Sequence, residues 1–421
     1  MDEKNQQGTT KNFKGYPFMT TKKAILTLND VANKYDRIKQ ATPQDGKDLV
    51  EIFKDVPMRT PLFDIFYDRS PDYFHLLNLQ KGKPFVFILK SSSGKTQGVA
   101  TFIIKEQYIG TQLTKVLYVG DMRTTPDIED ETRNQWKKAY EEFMEKMEVI
   151  EEFKGIRYCY GALLTSNKRA VKAFTTRKNK FIFKQLGSYQ ALNIYGRKPK
   201  IFQKKKHHNI QDLKVQSLDP KDLKKFKIFL EEQNKNKIFG DYFSKDSTDT
   251  LDYRLKNWPN FTLSNFIIIK NTENEILGSC CPWSPSQSKK FILSNLSFKL
   301  KMIGLCMPFL GKPPIKNRST LETLYLTHFE VKHDLPFSVK ERILELMMNE
   351  IEKKKLRDSY HLLTLLDWPN ESYKKMLKEK GYLLETSKGK MFQLIHENYE
   401  NHSDYELPFM SPYFGFELAL V

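Results

Sequence analysis

Residues 365–383 read LLDWPNESYKKMLKEKGYL, and the fold can be worked out from this stretch. It begins with apolar residues suited to a buried strand, breaks at Pro369-Asn370, continues in a helical pattern and stops at Gly381-Tyr382. Asn can begin a helix by accepting hydrogen bonds from its first turn, and Gly can end one by adopting a left-handed conformation. The stretch therefore predicts a strand, an Asn, a helix and a Gly stop, in that order.

An earlier segment repeats this pattern. Residues 156–174, IRYCYGALLTSNKRAVKAF, also place an Asn between a strand and a helix, and Asn167 lies 203 residues before Asn370. Upstream of each copy, residues 85–104 and 265–283 read as a strand, a polar turn and a strand, which indicates a β-hairpin. The sequence therefore predicts one β-α-α-β-β-β-α-β-α-β unit that occurs twice.

Length and composition agree with two domains. The 421 residues exceed the roughly 250–300 that one core usually supports, and 39% apolar residues suffice for packed cores. We expect the α/β (α+β) class, with a mixed, mostly antiparallel twisted sheet flanked by helices in each domain. The predicted order is an N-terminal extension (1–35), a first domain (36–198), a basic linker (199–210) and a second domain (211–421). Its end, 412–421, is predicted to be a strand that crosses back to pair with the first domain.

The chain is strongly basic, with a formal net charge of +18 and a pI near 9.4. Such a charge favours polyanionic partners, which include nucleic acid, an anionic membrane surface and a phosphorylated small molecule. The alternative is that many lysines lie on solvated helix faces. The run QKKKHH at 203–208 falls in the predicted linker and forms no known nucleic-acid motif.

Other protein classes find no support in the sequence. The four cysteines form no C-x-x-C pair and no histidine pair has ligand spacing, so we predict no metal site and no disulfide framework. The N-terminus is polar, and the longest uncharged apolar run, 302–311, is far below the roughly 20 residues of a membrane-spanning helix. We expect a cytoplasmic protein.

Fixed intervals follow Asn370: Tyr373 at +3, Leu377 at +7 and Gly381-Tyr382 at +11 and +12. These intervals and the repeated element order resemble the GNAT (Gcn5-related N-acetyltransferase) superfamily, in both halves of the chain. The resemblance implies acyl transfer from acetyl-CoA, or another acyl-CoA, to an amine of unknown identity. In that family the acyl-CoA arm lies between the fourth and fifth strands, and its pyrophosphate binds the first turn of the following helix.

The resemblance places the candidate site in the second half. Glu330 and His328 alternate along the strand LTHFEV, so they are the candidate catalytic bases. Ser338 and Glu341 have the S-x-x-E spacing of a capping box at the start of the next helix. The residues expected to bind acyl-CoA are Val331, Phe337, Ser338, Val339, Lys340, Asn370 and Tyr373.

Both halves depart from the family pattern. Residues 331–342, VKHDLPFSVKER, lack the glycines of the pyrophosphate loop, and residues 123–133, RTTPDIEDETR, replace them with four carboxylates that would repel a pyrophosphate. Leu377 occupies the position at which family members commonly have a tyrosine acid. Two alternatives therefore stay open: a catalytically decayed binding or regulatory protein on the same scaffold, and an aminoacyl-tRNA-dependent transferase.

Several other residues have a structural and a functional interpretation. Asp121, the first-half counterpart of the candidate bases, is expected to form an ion pair with Arg123. Trp368 and Tyr382 are expected to pack rather than to react. The insertion at 299–316 flanks apolar residues with lysines; it is either a core strand or packed loop, or a lid, an acyl-chain pocket or a membrane-surface contact.

Overall fold

The computed structural model of the chain describes residues 26–59, 64–175, 180–198, 213–244, 249–310, 312–356, 358–400, 402–408 and 410–420. Most of the predicted N-terminal extension and the whole predicted linker lie outside these residues. The domain boundaries drawn from the sequence stay predictions.

The first half begins with helix α1 (Leu28–Ala32). Its other helices are α2 (Gly46–Asp55), α3 (Tyr73–Asn78), α4 (Asp130–Glu145) and α5 (Lys168–Thr175). Its strands are β1 (Ile38–Gln40), β2 (Met58–Arg59), β3 (Asp64–Asp68), β4 (Lys83–Lys90), β5 (Thr96–Ile109), β6 (Gln112–Thr124), β7 (Tyr158–Leu164) and β8 (Phe181–Arg197).

The second half repeats the main elements of this order. Its strands are β9 (Lys214–Ser217), β10 (Ile238–Asp241), β11 (Ile267–Lys270), β12 (Ile276–Trp283), β13 (Lys290–Ser294), β14 (Thr323–Val331), β15 (Leu362–Asp367) and β16 (Tyr382–His396). Its helices are α6 (Leu223–Lys235), α7 (Thr250–Asn257), α8 (Phe298–Cys306), α9 (Phe337–Lys353) and α10 (Lys374–Glu379). The predicted double unit, including its two hairpins, is confirmed. The described α-helices and strands outside this unit are α1, β2 and β3 in the first half and β10, β13 and α8 in the second.

The strands of the two halves share one sheet in the order β1-β4-β5-β6-β7-β16-β8-β15-β14-β12-β11-β9, with β10 paired to β5. Pairing is parallel between β6 and β7 and between β14 and β15, and antiparallel between the other named neighbours. The predicted class, a mixed and mostly antiparallel sheet flanked by helices, is confirmed. The structure differs from the expectation of one sheet per domain, because the sheet is continuous.

The halves are joined by exchanged strands at the middle of this sheet. β8 follows the first-half helix α5, yet it pairs with β15 and β16 of the second half. β16 in turn pairs with β7 of the first half. Two further contacts cross between the halves: β10 pairs with β5, and β13 pairs with β3 in a small three-stranded sheet.

The same irregularity occurs in the two equivalent strands β6 and β14. Asp121 and His328, 207 residues apart, have φ angles of +49° and +48°, and the pairing register of each strand shifts at that position. A positive φ is uncommon for residues other than glycine, and a bulge re-aims the side chains around it. The bulge in β14 directs His328 and Glu330 towards the site described below.

The C-terminal tail lies between the halves. Its described residues 412–420 form a single bridge from Phe414 to Ile238 and a 3-10 helix at Leu418–Leu420, in place of the predicted strand. Side chains of the first half contact the tail. For example, Gln107 Nε2 donates a hydrogen bond to the Gly415 carbonyl oxygen at 3.3 Å. Phe414, buried in the core, packs directly over Gly187 of β8.

Candidate functional site

A cavity of about 120 Å³ opens where β14 and β15 separate. The two strands are hydrogen-bonded in parallel only over Thr323–Tyr325 and Leu362–Thr364. Beyond that point the wall is formed by β14 and β15 together with α6, Arg254 of α7 and the C-terminal tail. Of the predicted site residues, those in the wall are His328, Glu330, Val331, Lys340 and Tyr373.

Charged side chains form a network in this wall. The Arg254 guanidinium makes an ion pair with Asp241, and its Nη1 donates to His328 Nε2 at 2.9 Å. Glu330 accepts a hydrogen bond from Lys237 and a second one, at 3.3 Å, from Asn234 Nδ2. Each polar group is thereby satisfied, as buried polar groups must be.

His328 is buried among the rings of Phe243, Trp258, Phe261 and Phe266. This burial, with the positive charge of Arg254 beside it, holds the histidine pKa well below its usual value. Since a guanidinium only donates, the Nε2 lone pair of the neutral ring is engaged by Arg254. The geometry favours a positioning role for His328 over the predicted role as a base.

Glu417 lies in the same wall and was not predicted from the sequence. Its Oε1 accepts from the Ala419 backbone N–H at 3.3 Å. Burial raises the pKa of this carboxyl to about 7, although Arg254 and Lys237 oppose the shift. A group with that pKa can accept a proton near neutral pH, which is the property of an effective general base. The sequence around it, FGFELALV, gives no signal of this role.

The N-terminus of α9 differs from the predicted capping box. The helix begins at Phe337 after Pro336, so Ser338 lies inside the first turn, exposed, and no side-chain cap bond forms at Pro336. No acidic residue lies in this first turn. The Val339 N–H already donates to the Pro336 carbonyl oxygen at 2.9 Å. The N–H groups that precede it in the first turn, together with the helix dipole, favour an anion there.

The equivalent helix of the first half presents the opposite charge. α4 follows Glu129 and carries Asp130 and Glu131 in its first turn. The Glu129 carboxylate already accepts from the Ser92 backbone N–H and hydroxyl, both at 2.9 Å. The electrostatic contrast expected from the sequence is therefore present in the structure.

Asn167 and Asn370, which hold the same position in the sequence repeat, have different roles in the structure. Asn167 accepts from the Ala170 backbone N–H at 3.1 Å and so caps α5 as expected. Asn370 is exposed in a turn, and α10 begins only at Lys374. Asp367 takes over the role at this end: it accepts from Ser372 Oγ at 2.6 Å and from the Tyr373 backbone N–H at 3.1 Å.

The rest of the motif packs in the core. Tyr373 is buried with its ring 5.5 Å from that of Phe337, Val339 packs beside them, and Leu377 is fully buried. Gly381 has a φ of +84° directly after α10, which confirms the predicted glycine stop.

The two aromatic residues expected to pack have packing contacts. Tyr382 is buried beneath the Arg197 guanidinium, which lies 4.6 Å from the ring centroid, and Trp368 contacts the Tyr413 and Phe414 rings. In the first half the ion-pair partner of Asp121 is the buried Arg69, whereas Arg123 stacks over Phe53 and Tyr67. Burial lowers the pKa of Arg123 and the charge of Asp121 opposes this shift, so the two residues do interact electrostatically, and Arg69 is a further partner that the sequence did not indicate.

The described residues contain neither a candidate metal cluster nor a helix suited to cross a membrane. No group of three or more histidine, cysteine, aspartate or glutamate side chains there could hold a metal ion. Within the same residues, every helix is too short or too polar to cross a membrane.

Comparison with solved structures decides the fold. Saccharomyces cerevisiae N-myristoyltransferase with bound myristoyl-CoA matches with a TM-score of 0.55 at 10% identity, over 93% of each chain. A GCN5-related glucosamine N-acetyltransferase region of a fungal β-N-acetylglucosaminidase matches with a TM-score of 0.51 at 11% identity, over 85% of this chain and 38% of that one. The chain has a tandem GNAT fold.

At this level of identity the likeness establishes the fold alone. No family model matches the sequence, and no curated protein sequence does. What the chain does must therefore be argued from its own cavity.

Proposed function

We propose that this tandem GNAT protein is an N-acyltransferase that transfers an acyl group from acyl-CoA to an amine. The observation that carries the proposal is the cavity between the separating strands β14 and β15, with a carboxyl group of pKa about 7 in its wall. Acyl-CoA enzymes share this fold, which supports the reaction class in general.

The residues present suit an acyl-CoA in the second half. The first turn of α9 has backbone N–H groups and no carboxylate with which to receive a pyrophosphate, whereas that of α4 has two. Lys340 of α9 lies in the cavity wall, where it forms an ion pair with Glu371 through its Nζ at 2.9 Å. The thioester would then lie between β14 and β15, next to Glu417.

The chemistry proposed for the cavity has two steps. The Glu417 carboxylate takes a proton from the ammonium group of the acceptor, which produces a neutral amine. The amine nitrogen then attacks the thioester carbonyl carbon to form the N–C bond, the C–S bond breaks, and coenzyme A leaves as a thiolate that takes up the second proton lost by the nitrogen. The proton held by Glu417 passes to solvent. Arg254, His328 and Lys237 hold the wall in shape and do not exchange protons with the substrate.

A second candidate function rests on Leu377. This fully buried side chain occupies the position of the usual tyrosine acid and has no proton to give. A protein that binds acyl-CoA without turning it over, the decayed relative considered above, would keep the fold and the cavity.

Release of the coenzyme A thiol from acetyl-CoA and from a long-chain acyl-CoA, in the presence of a panel of amines and peptides with free amino termini, tests the proposal. We expect amine-dependent release by the wild-type protein. Binding of acyl-CoA without release for any acceptor would favour the second candidate, and no binding at all would overturn both.

A further inference from the structure

Four large apolar side chains form an exposed stripe on the inserted helix α8 and the 3-10 helix that follows it, Met307–Leu310. Phe298, Met302, Leu305 and Phe309 are 78%, 48%, 68% and 90% exposed. Their spacing of four, three and four residues places them on one side of the helix. We call this feature the α8 stripe.

The opposite side of α8 is anchored to the protein. Gly304 is buried so closely against the segment that follows that a Cβ there would collide with the Ile315 carbonyl oxygen. Met307 is buried as well, and its carbonyl oxygen accepts from the Lys312 backbone N–H at 3.1 Å. The helix cannot rotate about its axis to bury the α8 stripe without losing these contacts. The contacts therefore hold the stripe exposed to solvent.

The chain segment that contains the α8 stripe has only positively charged side chains among its charged residues. Residues 276–321 contain seven lysines and arginines and no aspartate or glutamate. Lys301, Lys316 and Arg318 of this segment are exposed. A nearby carboxylate from elsewhere in the chain, that of Asp64, accepts from Asn295 Nδ2 at 2.8 Å.

We propose that the α8 stripe binds the surface of a membrane that contains anionic lipids. An apolar helix face flanked by basic residues lies in the lipid interface, with its apolar side chains among the acyl chains and its cations at the headgroups. The charge of the segment matches anionic lipid and would oppose a second copy of the same basic surface. The helix lies on the membrane and does not cross it. This inference does not depend on the enzymatic proposal.

The experiment uses the full chain with an environment-sensitive fluorophore on Cys306, which is exposed on α8 while Cys159, Cys280 and Cys281 are buried. Vesicles of phosphatidylcholine alone are compared with vesicles of phosphatidylcholine and phosphatidylserine, and cosedimentation of unlabelled protein serves as a label-free measurement. We expect a blue-shifted, brighter signal and cosedimentation with the anionic vesicles, both weakened by salt.

Two double variants separate the apolar and the charged contributions. The variant Leu305→Ser with Phe309→Ser should weaken partitioning by on the order of a hundredfold, because each lost side chain removes about a factor of ten. The variant Lys301→Gln with Arg318→Gln should weaken binding to anionic vesicles only. Leu113→Ser, which removes an exposed leucine outside the stripe, should leave partitioning unchanged.

Three outcomes would overturn the proposal. The first is a partition into anionic vesicles that does not respond to the Leu305→Ser and Phe309→Ser changes. The second is a fluorescence change that appears with protein concentration and without vesicles, which would assign the α8 stripe to a second copy of the chain. The third is binding to RNA in a salt-dependent manner with no binding to either kind of vesicle.

Discussion

At the scale of single residues, the proposed chemistry depends on a few buried or half-buried polar groups that meet at the cavity wall. Glu417 and the Asp241–Arg254 pair meet at one wall although they lie more than 160 residues apart in sequence. Burial, the largest influence on Glu417, raises the pKa of this carboxyl to about 7.

Glu417→Gln should lower amine-dependent release of coenzyme A by about a hundredfold or more, the usual contribution of a general base. In the wild type the carboxyl must be deprotonated to act, so the rate should rise as the pH rises through about 7 and then level off. The glutamine variant should lose this rise. A pH–rate profile checks the prediction, with Glu330→Gln as the comparison; a variant that keeps the wild-type profile would exclude Glu417 as the base.

Asp367→Ala should destabilise the protein by about 2–3 kcal/mol, because it leaves the Tyr373 N–H, the Ser372 hydroxyl and Gln190 without their charged acceptor. Asn370→Ala should change stability by less than about 0.5 kcal/mol, since the side chain is exposed in a turn. Urea unfolding of both variants measures the difference. Equal losses would mean that Asn370 does cap this end.

These residues show which features of the site can be predicted from the sequence. The spacing from Asn370 to Gly381 identified the strand, the helix and the stop correctly, because each is a local preference of the chain. It could not show that the helix begins four residues after Asn370, since Asp367, held by Gln190 of the exchanged strand β8, competes for the same N–H groups. Glu417 was missed because its pKa arises from contacts distant in sequence.

At the scale of elements, the C-terminal tail packs between the two halves. Its alternating pattern suggested a strand, but Gly415 packs against the Phe239 carbonyl oxygen and Gly240 of β10 so closely that no Cβ would fit. The Gly415 backbone N–H donates to the Ile238 carbonyl oxygen at 2.9 Å, and Glu417 lies between this contact and the 3-10 helix Leu418–Leu420.

Phe414→Ala should lower the free energy of unfolding by about 3–5 kcal/mol, because it leaves a cavity beside Gly187 and Ile238 in the shared core. Met410→Ala, at an exposed position four residues earlier, is the matched control and should cost less than about 0.5 kcal/mol. Chemical denaturation gives both values. If the two variants lose the same free energy of unfolding, the tail contributes little to the core and the prediction is wrong.

The insertion is the element that the sequence described least well. Its apolar residues suggested a core strand or packed loop, or one of three surface roles, and it forms a helix with an exposed apolar side. Because α8 is apolar nearly all round, periodicity could not indicate which face would be buried. That choice is made by Gly304, through its close contact with Ile315.

At the scale of the whole molecule, the exchange of β8 and β16 makes the two halves one folding unit. Two copies of a GNAT-like order were predictable, since each copy repeats the same local signals. The exchange of β8 and β16 could not be predicted, because the sequences of both strands would show the same pattern if each strand paired within its own half. β7 would lose its partner β16 if the second half unfolded alone.

The chain should therefore unfold in one cooperative transition. Far-UV circular dichroism and tryptophan fluorescence, which reports from Trp136 in the first half and three tryptophans in the second, should give coincident curves in urea. Separate transitions for the two probes would contradict a shared core.

Calorimetric titration with acetyl-CoA and with a long-chain acyl-CoA tests the central claim, acyl-CoA binding at the start of α9, most directly. We predict binding by the wild type and by Ser338→Ala, and a loss of about tenfold or more for Ser338→Asp, which places a carboxylate in the first turn of that helix. Glu131→Gln, at the equivalent position of α4, should bind as the wild type does. Unchanged binding by Ser338→Asp, together with tighter binding by Glu131→Gln, would contradict the account and move the site to the first half.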